Sequence, residues 1–330
     1  MRTIIIAEAG DNHNGDMNLA YRLIDVAKEA GADIVKFQTS VNSISKYASK
    51  ANYQLQTTNP DESQLDMVNK LRLGFDNYRK LKEYSDRIGI EFLSTPFDVE
   101  SVRFLNDIGV NYWKIPSGDT TNLPYLEEMM KYKKPFLVST GMNTMADIDT
   151  LMKILGFPKN RNMILLQCTT EYPAPYDSVN LNAMLAMRDR YGVDVGISDH
   201  TMGIEVPIAA VAMGAVVVEK HITLDKNLEG PDHKASLEPD ELKRLVASIR
   251  HIEAAMGDGV KQVQPCEAGN IAVARKSIVA NKPIKKGELY TEENIATKRP
   301  GTGVSAMRWH EFIGRKANRD YEEDELIEDV

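Results

Sequence analysis

Two histidines, His200 and His221, fall just past the ends of two apolar, β-branched runs at 194–197 and 215–218, one strand-helix unit apart. Neutral imidazole is the commonest metal ligand among titratable side chains. Two such ligands would leave a bound cation open to water and substrate. Nitrogen and oxygen donors without thiolate suit Mn²⁺ or a similar ion better than a structural zinc site. A cation held in this way polarises a carbonyl. Glu219 precedes His221 by two residues, so on a strand both point to one side. Glu219 and Glu8 are candidates for moving a proton on an attacking water, and Asp232 for a third or water-mediated metal contact. The alternative is a pair of ordinary loop histidines. His13 and His233 are possible additions to the site.

Lys36 and Lys114 lie inside apolar runs, where a lysine needs a partner. That partner is either Glu8 or Glu219, or a bound dianion. A phosphate needs compact positive charge and several hydroxyl or N–H donors. Thr95, Ser117, Ser139, Thr170 and Ser198, with Ser94, Thr140 and Thr169, follow the same kind of run. Pro116-Ser-Gly and Ser139-Thr-Gly have the small, donor-rich form that suits phosphate where a loop enters a helix.

The elements that would position these groups repeat eight times. Short, continuous apolar runs begin near Ile4, Asp33, Ile90, Tyr112, Phe136, Met163, Asp194 and Ala215, and each is followed by a helical pattern. The first helix has Asp16 as N-cap, a stripe of Leu19, Leu23, Val26, Ala27 and Ala30, and Gly31 as its stop. The second unit carries a long polar excursion, 39–74, with a helix expected over 62–73. Eight strand-helix units with non-alternating strands predict a closed parallel (β/α)8 barrel, a TIM barrel, over 1–259. Its strand C-termini would gather the groups named above on one face. A doubly wound sheet is the alternative, but no Gly-rich dinucleotide turn follows the first strand. Residues 260–274 read as a linker, and 275–330 as a small β-rich module that is marginal by itself.

The chain has 330 residues, a formal charge of −8 and two cysteines, Cys168 and Cys266. The negative balance argues against nucleic acid and anionic membranes as partners. Two cysteines make neither a disulfide framework nor a thiolate cluster, which fits a reducing compartment. With no signal-like N-terminus and no run of ~20 apolar residues, a cytoplasmic protein is expected.

Several motifs occur in order: Ala7-Glu-Ala-Gly-Asp-Asn-His-Asn-Gly, Val35-Lys-Phe-Gln-Thr, Ser94-Thr-Pro-Phe, Lys114-Ile-Pro-Ser-Gly-Asp, Ser139-Thr-Gly-Met, Cys168-Thr-Thr-Glu-Tyr-Pro, Ser198-Asp-His-Thr, Glu219-Lys-His-Ile-Thr, Gly230-Pro-Asp-His-Lys and Lys298-Arg-Pro-Gly. This set resembles the sialic acid synthases over essentially the whole chain. The resemblance implies a TIM barrel joined to a C-terminal antifreeze-like (SAF) domain. It also implies condensation of phosphoenolpyruvate with an N-acylated mannosamine-type sugar. By position, it makes His200 and His221 ligands of Mn²⁺, with Mg²⁺ or Co²⁺ as substitutes, and places Lys36, Lys114, Ser117, Ser139 and Ser198 around phosphoenolpyruvate with Thr95 nearby. Thr170 stands where some members have a phosphate-contacting Asn. Glu8 and Glu219 match catalytic carboxylates, and Tyr172 and Asp232 match sugar-site positions. Arg299 matches an arginine delivered to the neighbouring subunit in a domain-swapped homodimer. The expected product is N-acetylneuraminate from N-acetylmannosamine. The alternatives are legionaminate from 2,4-diacetamido-2,4,6-trideoxymannose and, in another class, a non-catalytic carbohydrate-binding barrel.

Overall fold

The computed structural model describes residues 2–329, in two compact units, Met1–Gly257 and Asp258–Val330. In the first, eight parallel strands alternate with helices. The strands are β1 (Ile4–Gly10), β2 (Ile34–Thr39), β3 (Glu91–Pro96), β4 (Trp113–Ile115), β5 (Phe136–Ser139), β6 (Met163–Cys168), β7 (Asp194–Asp199) and β8 (Val217–His221). The helices are α1 (Met17–Ala30), α2 (Asn52–Thr57), α3 (Gln64–Leu71), α4 (Phe75–Ile88), α5 (Val99–Asp107), α6 (Leu123–Met130), α7 (Met145–Ile154), α8 (Leu181–Tyr191), α9 (Glu205–Ala212) and α10 (Pro239–Ala255).

The sheet runs β3-β2-β1-β8-β7-β6-β5-β4, with β1 pairing to β8 in parallel, so it curls into a nearly closed barrel with a seam between β3 and β4. A buried tyrosine spans the seam: Tyr125 Oη donates to Pro96 O at 2.8 Å and lies 3.4 Å from Lys114 O. Strands covered on both faces need no alternation, and β1 is apolar at Ile5, Ile6 and Ala7, all fully buried. The α1 stripe packs on this core, with Asp16 accepting from Asn18 N and Gly31 as C-cap.

Several strands extend further than the apolar runs suggest. Glu8, Thr95, Ser198 and His221 are strand residues, not residues of the loops beyond. Parallel pairing through Glu8↔His221 and Ser198↔Glu219 carries the ladder into the polar rim. The excursion holds the expected helix at α3 and an unexpected one, α2, which buries no residue and lacks a side-chain cap bond, hence its weak signal. Among the described residues, no helix is long and apolar enough to cross a membrane.

In the second unit the stretch read as a linker contains a further helix, α11 (Ala268–Ala274), with no buried residue. Beyond it, β9 (Ser277–Ala280) and β10 (Ile295–Lys298) pair antiparallel over a core that includes Ile278, Ile284, Tyr290, Phe312 and Tyr321.

Candidate active site

The C-terminal ends of the barrel strands open into a cavity of about 390 Å³. Its floor is ionic. Lys36 Nζ lies 3.0 Å from Glu8 Oε1 and 3.5 Å from Glu219 Oε2, and Lys114 Nζ lies 3.2 Å from Glu219 Oε1. All four side chains are buried, with residue exposures of 1–3%. Strand geometry explains the convergence, since Glu8 and Lys36 are register partners on β1 and β2. The two lysines face the two carboxylates, and all four line the cavity.

The carboxylates differ. Burial pushes Glu8 up to about 7, the Glu219 charge adding to the effect and the Lys36 charge opposing it. Burial acts on Glu219 too, but Lys114 and Lys36, with a 2.9 Å bond from Ser198 Oγ, hold it down at about 2. Burial works against the charge of Lys36, yet Glu219 and Glu8 outweigh it and raise its pKa; for Lys114 burial prevails and lowers it. Glu8 Oε2 and Glu219 Oε2 are buried without a hydrogen-bond partner.

The rim hydroxyls divide into two sets. Thr95, Ser117, Ser139, Thr170 and Ser198 line the cavity. Thr95 Oγ1 accepts from Lys36 Nζ at 2.8 Å, and the hydroxyls of Ser139 and Thr170 are buried and unpartnered. Ser94, Thr140 and Thr169 are absorbed by structure instead, bonding to Thr39, to Leu166 O and to Ser178 O. Gly141 N donates to Ser117 Oγ at 2.9 Å. A Cβ at Gly141 would sit 2.4 Å from Thr170 Oγ1 and 2.9 Å from Ser117 Oγ, so the hydroxyls close around a backbone that admits no side chain.

At the other side of the cavity the two histidine rings lie 5.4 Å apart. His200 Nδ1 is 2.7 Å from Thr169 O, so this nitrogen is the donor and Nε2 keeps the lone pair. His221 Nδ1 is buried, lacks a hydrogen-bond partner and lies 3.7 Å from Asp232 Oδ2. Among the described residues no three His, Cys, Asp or Glu side chains converge at metal-ligand spacing. The pair can still hold a cation with two nitrogens, leaving its other positions to water and substrate oxygens. Tyr172 stacks on His200 at 4.0 Å, and Tyr53 of α2 packs on Tyr172 at 4.8 Å. Burial and the Asp11 charge push Asp232 up to about 7.

His13 and His233 are fully buried and support the site without lining it: Gly15 N donates to His13 Nδ1, and His233 contacts Thr223 and Asn14. Arg299 is an exposed residue of the second unit. Asp11, Tyr53 and Arg72 line the cavity although no spacing pointed to them. For Tyr53 and Arg72 the available signal was the polar excursion itself, too long for a connecting loop, and for Asp11 the polar motif Ala7–Gly15 that contains it.

Residues 23–261 match the model of the NeuB family and residues 275–329 that of the SAF domain. The chain is 54% identical over 330 residues to the N,N'-diacetyllegionaminic acid synthase of Campylobacter jejuni, covering 99% of each. It is 43% identical over 322 residues to the enzyme of the same name from Legionella pneumophila, covering 96% of this chain and 90% of that one. A crystal structure of N-acetylneuraminic acid (sialic acid) synthetase from Leptospira borgpetersenii, in complex with citrate, superposes with a TM-score of 0.71 at 35% identity. That match covers 82% of this chain and 90% of the other.

Proposed function

Because the chain belongs to the NeuB family of sialic acid and related nonulosonic acid synthases, we propose that it condenses phosphoenolpyruvate with 2,4-diacetamido-2,4,6-trideoxymannose to give N,N'-diacetyllegionaminate and phosphate. The observation that carries the reaction is the floor of two buried lysines and two carboxylates, beside unpartnered hydroxyls and a histidine pair. The acceptor rests on the high identity to two relatives named for that product. N-acetylmannosamine, the acceptor first expected from the sequence, is the second reading, favoured by the likeness to the Leptospira synthetase.

Lys36 and Lys114 neutralise the phosphate and carboxylate of phosphoenolpyruvate, and Ser117, Ser139 and Thr170 donate to its oxygens. His200 and His221 would hold a divalent cation, Mn²⁺ by its donor set, whose chemistry when bound is Lewis-acid polarisation of a carbonyl oxygen. Tyr172 and Asp232 orient the open-chain sugar so that its aldehyde carbon faces the methylene carbon of phosphoenolpyruvate. A carbon–carbon bond forms between them as the C=C and C=O π bonds break; the aldehyde oxygen takes the carbonyl electron pair and then a proton from water, and the second carbon of the pyruvyl unit becomes cationic. Water adds there, losing a proton to Glu8, whose pKa of about 7 suits a base at neutral pH. Glu219 stays ionised between the lysines and offsets the cationic carbon. The tetrahedral intermediate then loses phosphate by C–O cleavage.

The reading extends to a homodimer in which the second unit of one copy delivers Arg299 to the cavity of the other. Mixing inactive His200→Ala and Arg299→Ala proteins would then restore part of the activity. The deciding assay is phosphate release from phosphoenolpyruvate with Mn²⁺ and each sugar in turn. Turnover favouring the diacetamido sugar is expected. No release with either sugar would leave the carbohydrate-binding barrel as the better account.

A further inference from the structure

The cavity has a second polar pair, away from its ionic floor. Asp11 stands in the loop beyond β1, three residues after Glu8, and Arg72 is the C-cap of α3 in the excursion. Both line the cavity. They are close enough for the Arg72 charge to act on Asp11, yet no ion pair joins them. Arg72 Nε is buried without a hydrogen-bond partner. The nearest nitrogen recorded beside the Asp11 carboxylate is His13 Nε2, at 4.0 Å, beyond hydrogen-bond reach. His13 accepts at Nδ1 from Gly15 N, so its Nε2 carries the proton and it presents no acceptor towards Asp11.

The two groups are held where they are. Gly15 adopts a φ of +74°, and a Cβ there would lie 2.7 Å from Lys70 O, so the loop after β1 abuts the end of α3 through bare backbone. The loop that carries Asp11 and the helix end that carries Arg72 are thus packed against each other. The buried, unpartnered Arg72 Nε is costly unless a ligand pairs with it, and the Asp11 carboxylate, 21% exposed, has no ion-pair partner within hydrogen-bond reach. Ile44, Met67 and Val68 give the same wall an apolar lining.

From this we infer that Asp11 and Arg72 read the acylamino group that lies further from the aldehyde of the acceptor, the carboxylate accepting its N–H and the guanidinium donating to its C=O, with the acyl methyl against Met67 and Val68. The inference rests on the acceptor-sugar reading above and deepens it. N-acetylmannosamine has one acylamino group, beside the aldehyde carbon, whereas the diacetamido sugar carries a second further along the chain. Asp11 and Arg72 would therefore set the preference between the two. Burial lifts the Asp11 carboxyl to about 6, which still leaves it an acceptor at neutral pH.

The test is Asp11→Asn, Arg72→Gln and Arg72→Lys, assayed for phosphate release with each sugar and for sugar binding by calorimetry. A charge-assisted hydrogen bond of about 1.5–3 kcal/mol corresponds to a loss of about 10- to 100-fold. That loss should appear in kcat/KM for the diacetamido sugar, through KM, with a several-fold smaller loss for N-acetylmannosamine and an unchanged KM for phosphoenolpyruvate. Equal losses with both sugars, or none with the diacetamido sugar, overturn the inference. Wild-type protein that releases phosphate with neither sugar refutes the reaction and not the subsite, which calorimetry then decides. Failure of the wild type to bind the diacetamido sugar, or variants that bind it as well as the wild type, would also overturn the inference. Should the Arg72 variants fail to fold, the nearly isosteric Asp11→Asn suffices.

Discussion

Lys220 Nζ lies 2.5 Å from Asp199 Oδ2, and both side chains are buried on the side of β7 and β8 that faces away from the cavity. Each is the immediate neighbour of a site histidine, Asp199 of His200 and Lys220 of His221. Alternation along the strands turns one residue into the site and the next out of it. Lys220 also donates to Thr201 O, and Asp199 accepts from Thr201 N at 3.1 Å and Thr201 Oγ1 at 3.0 Å. The pair therefore ties together the two strand ends that carry the histidines. Removing one partner strands a buried charge, so Lys220→Met should cost about 3–5 kcal/mol in urea unfolding. Asp199→Leu with Lys220→Met should cost less than the two single changes summed; strict additivity would mean that the ions do not act as a pair.

Gly141→Ala tests the hydroxyl cradle. The added methyl would meet Thr170 Oγ1 at 2.4 Å and Ser117 Oγ at 2.9 Å, both on the cavity wall. The KM for phosphoenolpyruvate should rise at least about tenfold, as expected for losing one charge-assisted hydrogen bond, with the KM for the sugar little changed. An unchanged KM for phosphoenolpyruvate would place the phosphate elsewhere.

Glu8 and Glu219 should separate by pH. A base must be deprotonated, so the rate should rise with pH through about 7, the value to which burial lifts Glu8. In Glu8→Gln this limb should vanish and kcat fall by about 10²–10⁴-fold. A limb near 7 that survives in Glu8→Gln would assign the proton to another group.

Asp11 links function to stability. Its folded pKa, about 6, lies above the ordinary 3.8, so between those values the folded protein holds the proton more tightly than the unfolded chain. Stability from this group is thus present at low pH and is lost as pH rises through about 6. Asp11→Asn removes the penalty, and its gain over wild type should be about 1–3 kcal/mol larger at pH 8 than at pH 4. Denaturant melts at the two pH values read this directly; a gain larger at pH 4 would reverse the assignment. Stabilisation accompanied by poorer binding of the diacetamido sugar would mark Asp11 as a group kept at a cost to the fold.

The barrel and the floor of its cavity were legible in the chain because they rest on local periodicity. Eight apolar runs followed by helical stripes define parallel strands, and parallel strands in a barrel bring their C-terminal residues to one rim. Glu8, Lys36, Lys114, Ser139, Ser198, Glu219 and the two histidines follow from that register. Tertiary structure alone sorted the rim hydroxyls, since whether Thr140 or Thr169 faces the cavity depends on which carbonyl lies beside it. It alone decided that Asp232 stands 3.7 Å from His221 Nδ1. It also brought in Tyr53 and Arg72, because an irregular excursion has no period from which its path can be read, and Asp11 from the loop after β1. Periodicity encodes which way a side chain points from its own element, whereas the partner it meets is fixed only when distant segments pack.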